Sequence, residues 1–383
     1  MRPGLTIVLM ACLLPACGGS TGSNTGPTDA PLAEDGSVAA DSGARDGGAT
    51  DSAAATDGPV QHDGAAQHDG APQQDGGGPV QHITVVMASD IAESGRTQHA
   101  RAAAALITAH APAVSAVVLG GDNARYSATS LSSMLTYYNT YYDAAGEANW
   151  GQFESLVFPQ AGNHENPAII GNQGYFDYFA TRMTAIKGLA GYGGFIDDTA
   201  KGYYSFNLNG WHFVSLNSNC GNVTGGCGAG SAQELWLKAD LLAHPNMPIV
   251  AIWHAPRYAC GGSHGDATEM QPLWADLVDA RADFLFTGHN HYYERWKPLD
   301  KTNPEAVVDT ANGVTQIVAG SYGVTTYAAC STLDARVQAA LGSDPGMGVF
   351  FLTLGSDGSY SFEYQLISDG SIFDSGAGMS HHP

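Results

Sequence analysis

Five short clusters of oxygen and imidazole donors punctuate the sequence in order: Ser89-Asp90, Gly121-Asp122, Gly162-Asn163-His164-Glu165, Trp253-His254-Ala255-Pro256 and Gly288-His289-Asn290-His291. Each is bland alone, because a single His at a strand end is usually just a hydrogen-bonded surface histidine. Five in series are hard to obtain by chance. Carboxylate, amide and imidazole donors together make a mixed ligand set that suits Fe, Mn or Zn rather than a thiolate-preferring metal.

Donors scattered over 200 residues can meet only if strands carry them to one place. The apolar run 82–89 predicts a strand ending at Asp90, the Ala-rich stretch 98–110 a helix, and residues 116–119 a second buried strand that ends in Gly120-Gly121-Asp122. Such β–α–β alternation implies a parallel pair with a crossover helix. In parallel sheets ligands gather beyond the carboxyl ends of the strands, where Asp90 and Asp122 both stand. Strands over 156–158, 249–252 and 284–286 each run at once into another polar cluster. A hairpin is expected over 203–216, turning at Asn209-Gly210, with a helix over 232–242 and two antiparallel strands over 349–354 and 360–366. Tyr137, Tyr138, Tyr141 and Tyr142, three and four residues apart, read as helix packing rather than a sugar-stacking surface.

The 383 residues fall into three zones. Residues 1–17 combine one early basic residue with an apolar core of roughly ten residues, about half of what a membrane-spanning helix needs. The ending Leu14-Pro15-Ala16-Cys17 resembles a lipobox with Cys17 as the lipidated residue. The other reading is an ordinary secreted leader with an incidental Cys. Residues 18–80 are dominated by Gly, Ala, Asp, Ser, Gln and Pro, with nine Asp and Glu34 against Arg45. Such a stretch buries too little apolar surface to offset its ordering entropy and is expected to be a disordered tether. Residues 81–383 fit one α/β domain. The net charge of −22 offers no basic patch for phosphate backbones and argues against nucleic-acid binding. Beyond the leader and Cys17, the cysteines are Cys220, Cys227, Cys260 and Cys330. Their even number in an exported chain predicts two disulfides. Cys220 and Cys227 flank a Gly-rich loop and are expected to pair, which leaves Cys260 with Cys330.

Together the clusters resemble the calcineurin-like metallophosphoesterase superfamily, most of all its purple-acid-phosphatase-like branch, marked by GDxG, GDxxY, GNH[ED], VxxH and GHxH. His291-Tyr292-Tyr293-Glu294-Arg295 resembles the HxYER that follows GHxH there, and Val318-Ala319-Gly320-Ser321 the small-residue turn that closes the fold. The resemblance implies an α/β fold of two mixed sheets packed as a sandwich flanked by helices. It also implies two divalent or mixed-valence ions (Fe, Mn or Zn) bridged by Asp122. Asp90 and His291 would hold the first ion, and Asn163, His254 and His289 the second. The implied chemistry is attack on phosphorus by water activated between two cations about 3.5–4 Å apart, with His164 placed to donate a proton to the leaving oxygen or to stabilise charge. No Ser or Cys stands out as a covalent nucleophile.

Two departures from the pattern matter. Ala92 stands where the wider superfamily has the His of Asp-x-His, a loss typical of the purple branch, where a Tyr substitutes. Here Tyr126 comes one residue later than GDxxY expects, and Arg125 takes its place. Either the loop bulges and Tyr126 still ligates, or the first ion has fewer protein ligands and Arg125 faces substrate phosphate. His264, in Gly262-Ser263-His264-Gly265, is a phosphate contact or a surface loop His. His212 reads as packing, and His381-His382 as a disordered end. The expectation is thus an exported, monomeric phosphomonoesterase acting on small phosphate esters and touching membrane only through a lipid anchor. A phosphodiesterase or nucleotidase using the same site, and a non-catalytic binding lipoprotein, are the alternatives. Substrate choice would lie in loops 124–150, 166–200 and 218–230.

Overall fold

The computed structural model describes residues 79–125, 133–165, 173–261, 264–330 and 332–382, all within the unit Gln74–Pro383. The expected leader with Cys17, all but the last two residues of the expected tether, and Tyr126 lie outside the described residues.

In chain order the strands are β1 (His82–Ala88), β2 (Ala116–Leu119), β3 (Val157–Phe158), β4 (Gly193–Gly194), β5 (Tyr204–Leu208), β6 (Trp211–Ser215) and β7 (Ile249–Ile252). They continue with β8 (Phe284–Thr287), β9 (Tyr293–Trp296), β10 (Thr315–Ala319), β11 (Val337–Leu341), β12 (Gly348–Gly355), β13 (Ser359–Leu366) and β14 (Ile372–Met379). The α-helices are α1 (Thr97–Ala109), α2 (Met134–Tyr137), α3 (Gln173–Lys187), α4 (Ala232–Ala243) and α5 (Gln271–Asp279).

These strands form two mixed sheets, one ordered β14-β13-β12-β1-β2-β3 and the other β11-β9-β10-β8-β7-β6-β5-β4. Strands β1, β2 and β3 are mutually parallel in the first sheet, as are β6, β7, β8 and β10 in the second. The parallel strands are short, continuous apolar runs because both faces are covered. One core cluster joins Met87, Phe350 and Leu352 of the first sheet to Phe206, Phe213 and Phe286 of the second. Ring pairs such as Phe286–Phe350, with centroids 6.3 Å apart, cross between the sheets. A second cluster packs Ala251 and Leu285 against Leu237 and Leu241 of α4 and Leu273, Trp274 and Leu277 of α5. The result is the expected sandwich of two mixed sheets flanked by helices.

Local chemistry accounts for the elements that aim the site. The hairpin turns through Asn209 and Gly210 with φ of 50° and 83°, the positive pair a two-residue turn needs. Helix α4 starts where the Ser231 hydroxyl accepts from Glu234 N at 3.2 Å. Disulfides join Cys220 to Cys227 and Cys260 to Cys330. Among the described residues no helix is long and apolar enough to cross a membrane.

Two expectations need correction. Residues 166–200 are not simply a substrate loop: α3 runs through them and buries Tyr175, Phe176, Phe179, Met183 and Ile186, packing Phe179 edge-on against Tyr138 and Tyr142 of the Tyr run. The helical pattern is present in Phe176, Phe179, Met183 and Ile186, which recur at spacings of three and four. His381 and His382 are docked rather than loose. Asp283, at the entry to β8, accepts from His381 N and from the Ser380 hydroxyl at 2.9 Å, and His382 Nε2 bonds the Ala280 carbonyl. The buried acceptor that holds them lies about 100 residues away in sequence.

Candidate metal centre

Every ligand block sits just past the carboxyl end of a parallel strand: Asp90 after β1, Asp122 after β2, Asn163 after β3, His254 after β7, and His289 and His291 after β8. Backbone bonds lock these loops to one another. Asp90, Ile91 and Ala92 donate in turn to the carbonyls of Gly121, Asp122 and Asn123, and Gly288 N donates to His254 O. Asp90, Asp122 and His289 have φ of 57°, 50° and 66°. Strained non-glycine backbone of this kind concentrates where function requires it. An added Cβ at Gly288 would collide with the Ser89 hydroxyl and the Asp90 carboxylate, and one at Gly162 with Asp122. The glycines of these blocks thus let the ligand loops touch.

The orientation of the donors is more telling than their proximity. His254 Nδ1 donates to the Gly120 carbonyl at 2.8 Å, which aims Nε2 at Asp122 Oδ2 (3.4 Å) and Asn163 Oδ1 (3.0 Å). His291 repeats the device, with Nδ1 on the Thr325 carbonyl at 2.6 Å and Nε2 facing Asp90 Oδ1 at 3.3 Å. In each case a backbone carbonyl sets the tautomer, so a ring lone pair confronts oxygen acceptors. Only a positive charge between them, a proton or a metal ion, reconciles such an arrangement. Asp90 Oδ1 is buried and accepts no hydrogen bond from the described residues. Asp90, Asp122 and His254 each offer a ligand atom within 4.8 Å of the others. The donor set therefore fits metal ions.

The titration of these groups expresses the same demand. Burial disfavours charge on His254, yet the Asp122 carboxylate beside it pushes it up to about 9. Burial would raise Asp90 and Asp122, but the facing imidazoles hold both carboxyls well below the usual range. Burial first, with the His254 and His264 imidazoles beside it, pushes His289 down to about 3, which keeps it neutral with a lone pair available.

His164 lies at the rim. Its backbone N donates to Asp122 Oδ1 at 2.9 Å, and its Nε2 accepts from Arg125 Nε at 3.2 Å. Arg125 Nη1 is bound by Glu93 Oε1 at 2.8 Å. His264 stacks on His289 with ring centroids 4.0 Å apart, which brings it to the mouth of the site. His212 is elsewhere, buried on β6 between Asn207 and Asp240.

Sequence reasoning placed Glu165 in the third cluster without giving it a role, and missed Tyr327 altogether. Glu165 is fully buried and accepts from the backbone N–H groups of Asp122, Asn123, Ala124 and Gly162 and from the Tyr138 hydroxyl. It ties the second and third ligand loops together. Burial and the Asp122 charge push Glu165 up to about 7, against five donors that an ionised carboxylate satisfies best. The signal was its place directly after Asn163-His164. Tyr327 stacks on His291 at 4.3 Å and 10°, and nothing in its own neighbourhood marked it.

A profile for calcineurin-like phosphoesterases matches residues 83–293, more than half of the chain and all five blocks. Purple acid phosphatase 18 of Arabidopsis thaliana is 30% identical over 202 residues, 48% of this chain and 42% of that protein. The chain therefore spans less than half the length of this relative. The structure of a purple acid phosphatase from yellow lupin (Lupinus luteus) seeds superposes with a TM-score of 0.54 at 17% identity, covering 78% of this chain and 53% of that one. GAP50, the anchor in the inner membrane complex of Plasmodium, gives 0.51 at 13% identity, covering 78% and 89%. These two share the fold. With the profile running from β1 to the last ligand block, the chain belongs to the calcineurin-like phosphoesterase family, and purple acid phosphatases are among its sequence relatives.

Proposed function

We propose that this protein is an exported, metal-dependent phosphomonoesterase. In this reading Asp90 and His291 hold one cation, Asn163, His254 and His289 a second, and Asp122 bridges the two. The observation that carries it is the pair of imidazoles, His254 and His291, each turned by a backbone carbonyl so that Nε2 faces carboxylate and amide oxygens at 3.0–3.4 Å. Bound there, two cations of the Fe, Mn or Zn class supply Lewis acidity to phosphoryl oxygens and lower the pKa of water. The chain's own residues do the rest. Glu165 keeps the Asp122 and Asn163 loops in register. His164 stands beside Asp122 to meet the leaving oxygen, and His264, stacked on His289, offers a contact to bound phosphate.

Residues 81–383 form the catalytic unit in this reading, with 18–80 as a tether and 1–17 as an export leader ending at Cys17. The two disulfides support an oxidising compartment. The deciding experiment measures metal content of the purified protein together with turnover of p-nitrophenyl phosphate and bis(p-nitrophenyl) phosphate. Two ions per chain and faster monoester cleavage are expected; a metal-free, inactive protein overturns the reading. Fractionation of Cys17→Ser tests the anchor, with release from membranes as the expected result.

A further inference from the structure

Arg125 occupies the position where the branch places a tyrosine, and the structure gives it a defined setting. Residues 92 and 124 form a parallel bridge, and Arg125 N donates to Ala92 O at 2.8 Å, so the backbone holds Arg125 beside Glu93. Glu93 Oε1 takes Arg125 Nη1 at 2.8 Å, while Glu93 Oε2 accepts from Thr325 N at 2.8 Å and Thr325 Oγ1 at 3.0 Å. Thr325 is the residue whose carbonyl aims His291. Arg125 Nε reaches His164 Nε2 at 3.2 Å. A continuous chain of contacts, Thr325–Glu93–Arg125–His164, thus spans the rim from the His291 side to the Asp122 side. About a fifth of each side chain in the Arg125–Glu93 pair stays solvent-accessible (22% and 18%), as a group awaiting a ligand requires.

We propose that Arg125, held by Glu93 and His164, binds the phosphoryl oxygen that the two cations leave uncovered, and thereby selects monoesters over diesters. This deepens the phosphomonoesterase reading and rests on it. A monoester presents three terminal oxygens. A diester replaces one with an alkoxy oxygen, which carries little charge and accepts hydrogen bonds poorly. A planar guanidinium rewards the charged oxygen and gains little from the ester oxygen. Glu93 is a positioning residue: by taking Nη1 it fixes the plane of the guanidinium, so less ordering is needed when phosphate arrives.

The test uses the full-length, metal-loaded protein with Arg125→Ala, Arg125→Lys and Glu93→Gln. It reads kcat and KM on p-nitrophenyl phosphate and bis(p-nitrophenyl) phosphate, the calorimetric affinity for inorganic phosphate, and metal content. Arg125→Ala is expected to lower kcat/KM for the monoester by about 100-fold and for the diester by less than about 5-fold, and to weaken phosphate binding about 30-fold. Arg125→Lys restores part of the binding loss. Glu93→Gln costs about 10-fold, mainly in KM. Equal losses on both esters, unchanged phosphate affinity, or loss of metal from Arg125→Ala overturns the proposal. Failure of the wild type to cleave either ester counts against the phosphoesterase reading instead, and the phosphate-binding arm still decides the role of Arg125.

Discussion

At the candidate metal centre, His291 Nε2 lies 3.3 Å from Asp90 Oδ1 and His254 Nε2 lies 3.4 Å from Asp122 Oδ2. On β6 and α4, His212 Nε2 lies 2.7 Å from Asp240 Oδ2, with His244 stacked on the His212 ring at 3.8 Å. Spacing alone admits a metal ion at both places, yet the two are built differently. Ligands bonded to one cation at about 2.0–2.2 Å stand about 3.3 Å apart, whereas 2.7 Å is a hydrogen bond. Both ring nitrogens of His212 are committed, one to Asn207 Oδ1 and one to Asp240, while Ser205 Oγ donates to the other Asp240 oxygen. His244 Nδ1 bonds the Asp240 carbonyl. At hydrogen-bonding distance the His212–Asp240 pair leaves no room for an ion between its ligand atoms, whereas the wider separations at Asp90 and Asp122 do. A third grouping, Cys260, Glu294 and Cys330, offers no thiolate because its sulfurs are bonded to each other. Imidazoles face oxygen at both places, so how near the facing atoms lie, 2.7 Å against 3.3–3.4 Å, separates a packed polar residue from a candidate ligand.

The largest effect that would break this contrast concerns turnover. Asp122→Asn or His289→Ala is expected to abolish monoester hydrolysis, by more than about 1,000-fold, with an unchanged far-UV circular dichroism spectrum. Asp240→Asn should leave kcat/KM within about twofold. An active Asp122→Asn protein sinks the two-cation reading. Stability should respond to metal in the same selective way. Returning Mn²⁺ or Zn²⁺ to chelator-treated protein is expected to raise Tm by several degrees, because ions that bind only the folded state stabilise it by mass action. His212→Ala should keep that rise and His254→Ala should lose most of it; the reverse pattern would exchange the roles of the two clusters.

Asp240→Asn has a cost of its own. It weakens a network bonded to Ser205 and His212, and is expected to lose about 1–3 kcal/mol, seen as a drop in Tm of roughly 2–8 °C with or without metal. The smallest effect comes from Glu294, whose buried Oε1 has no partner among the described residues and no imidazole opposite it. Burial first, opposed by Cys260 N and Trp296 Nε1, pushes this carboxyl up to about 7. The folded state thus holds a proton that the unfolded chain releases near its ordinary 4.5, and stability is lost as pH rises between the two values. Glu294→Gln should therefore melt a few degrees higher than the wild type at pH 8, with the gain gone below about pH 4.5. A gain independent of pH would show that proton binding at Glu294 is not its cause.

Much of the site was legible because metal ligation needs particular residue types at strand ends. Buried parallel strands such as Ile249–Ile252 advertise themselves as apolar runs, and the first polar residue after each is exposed by its contrast. Helix α3 left a signal that the sequence reading passed over, since Phe176, Phe179, Met183 and Ile186 recur at spacings of three and four, the stripe a helix buries. The pairings of Glu165 with the Asp122 loop and of Glu93 with Thr325, 232 residues away, leave no local trace. Hydrogen bonds between loops depend on which loops become neighbours, and periodicity carries no information about that.

Residue identity and order by themselves determined the donor set, the strand ends that carry it and the pairing of the cysteines. Only the tertiary structure decided that Nε2 of His254 and of His291 would face oxygen, that His212 would be satisfied by hydrogen bonds, and that Arg125 would be held between Glu93 and His164. The reason is physical. A side chain's chemistry is local, but the direction of its lone pairs is set by carbonyls and carboxylates that folding brings from distant parts of the chain.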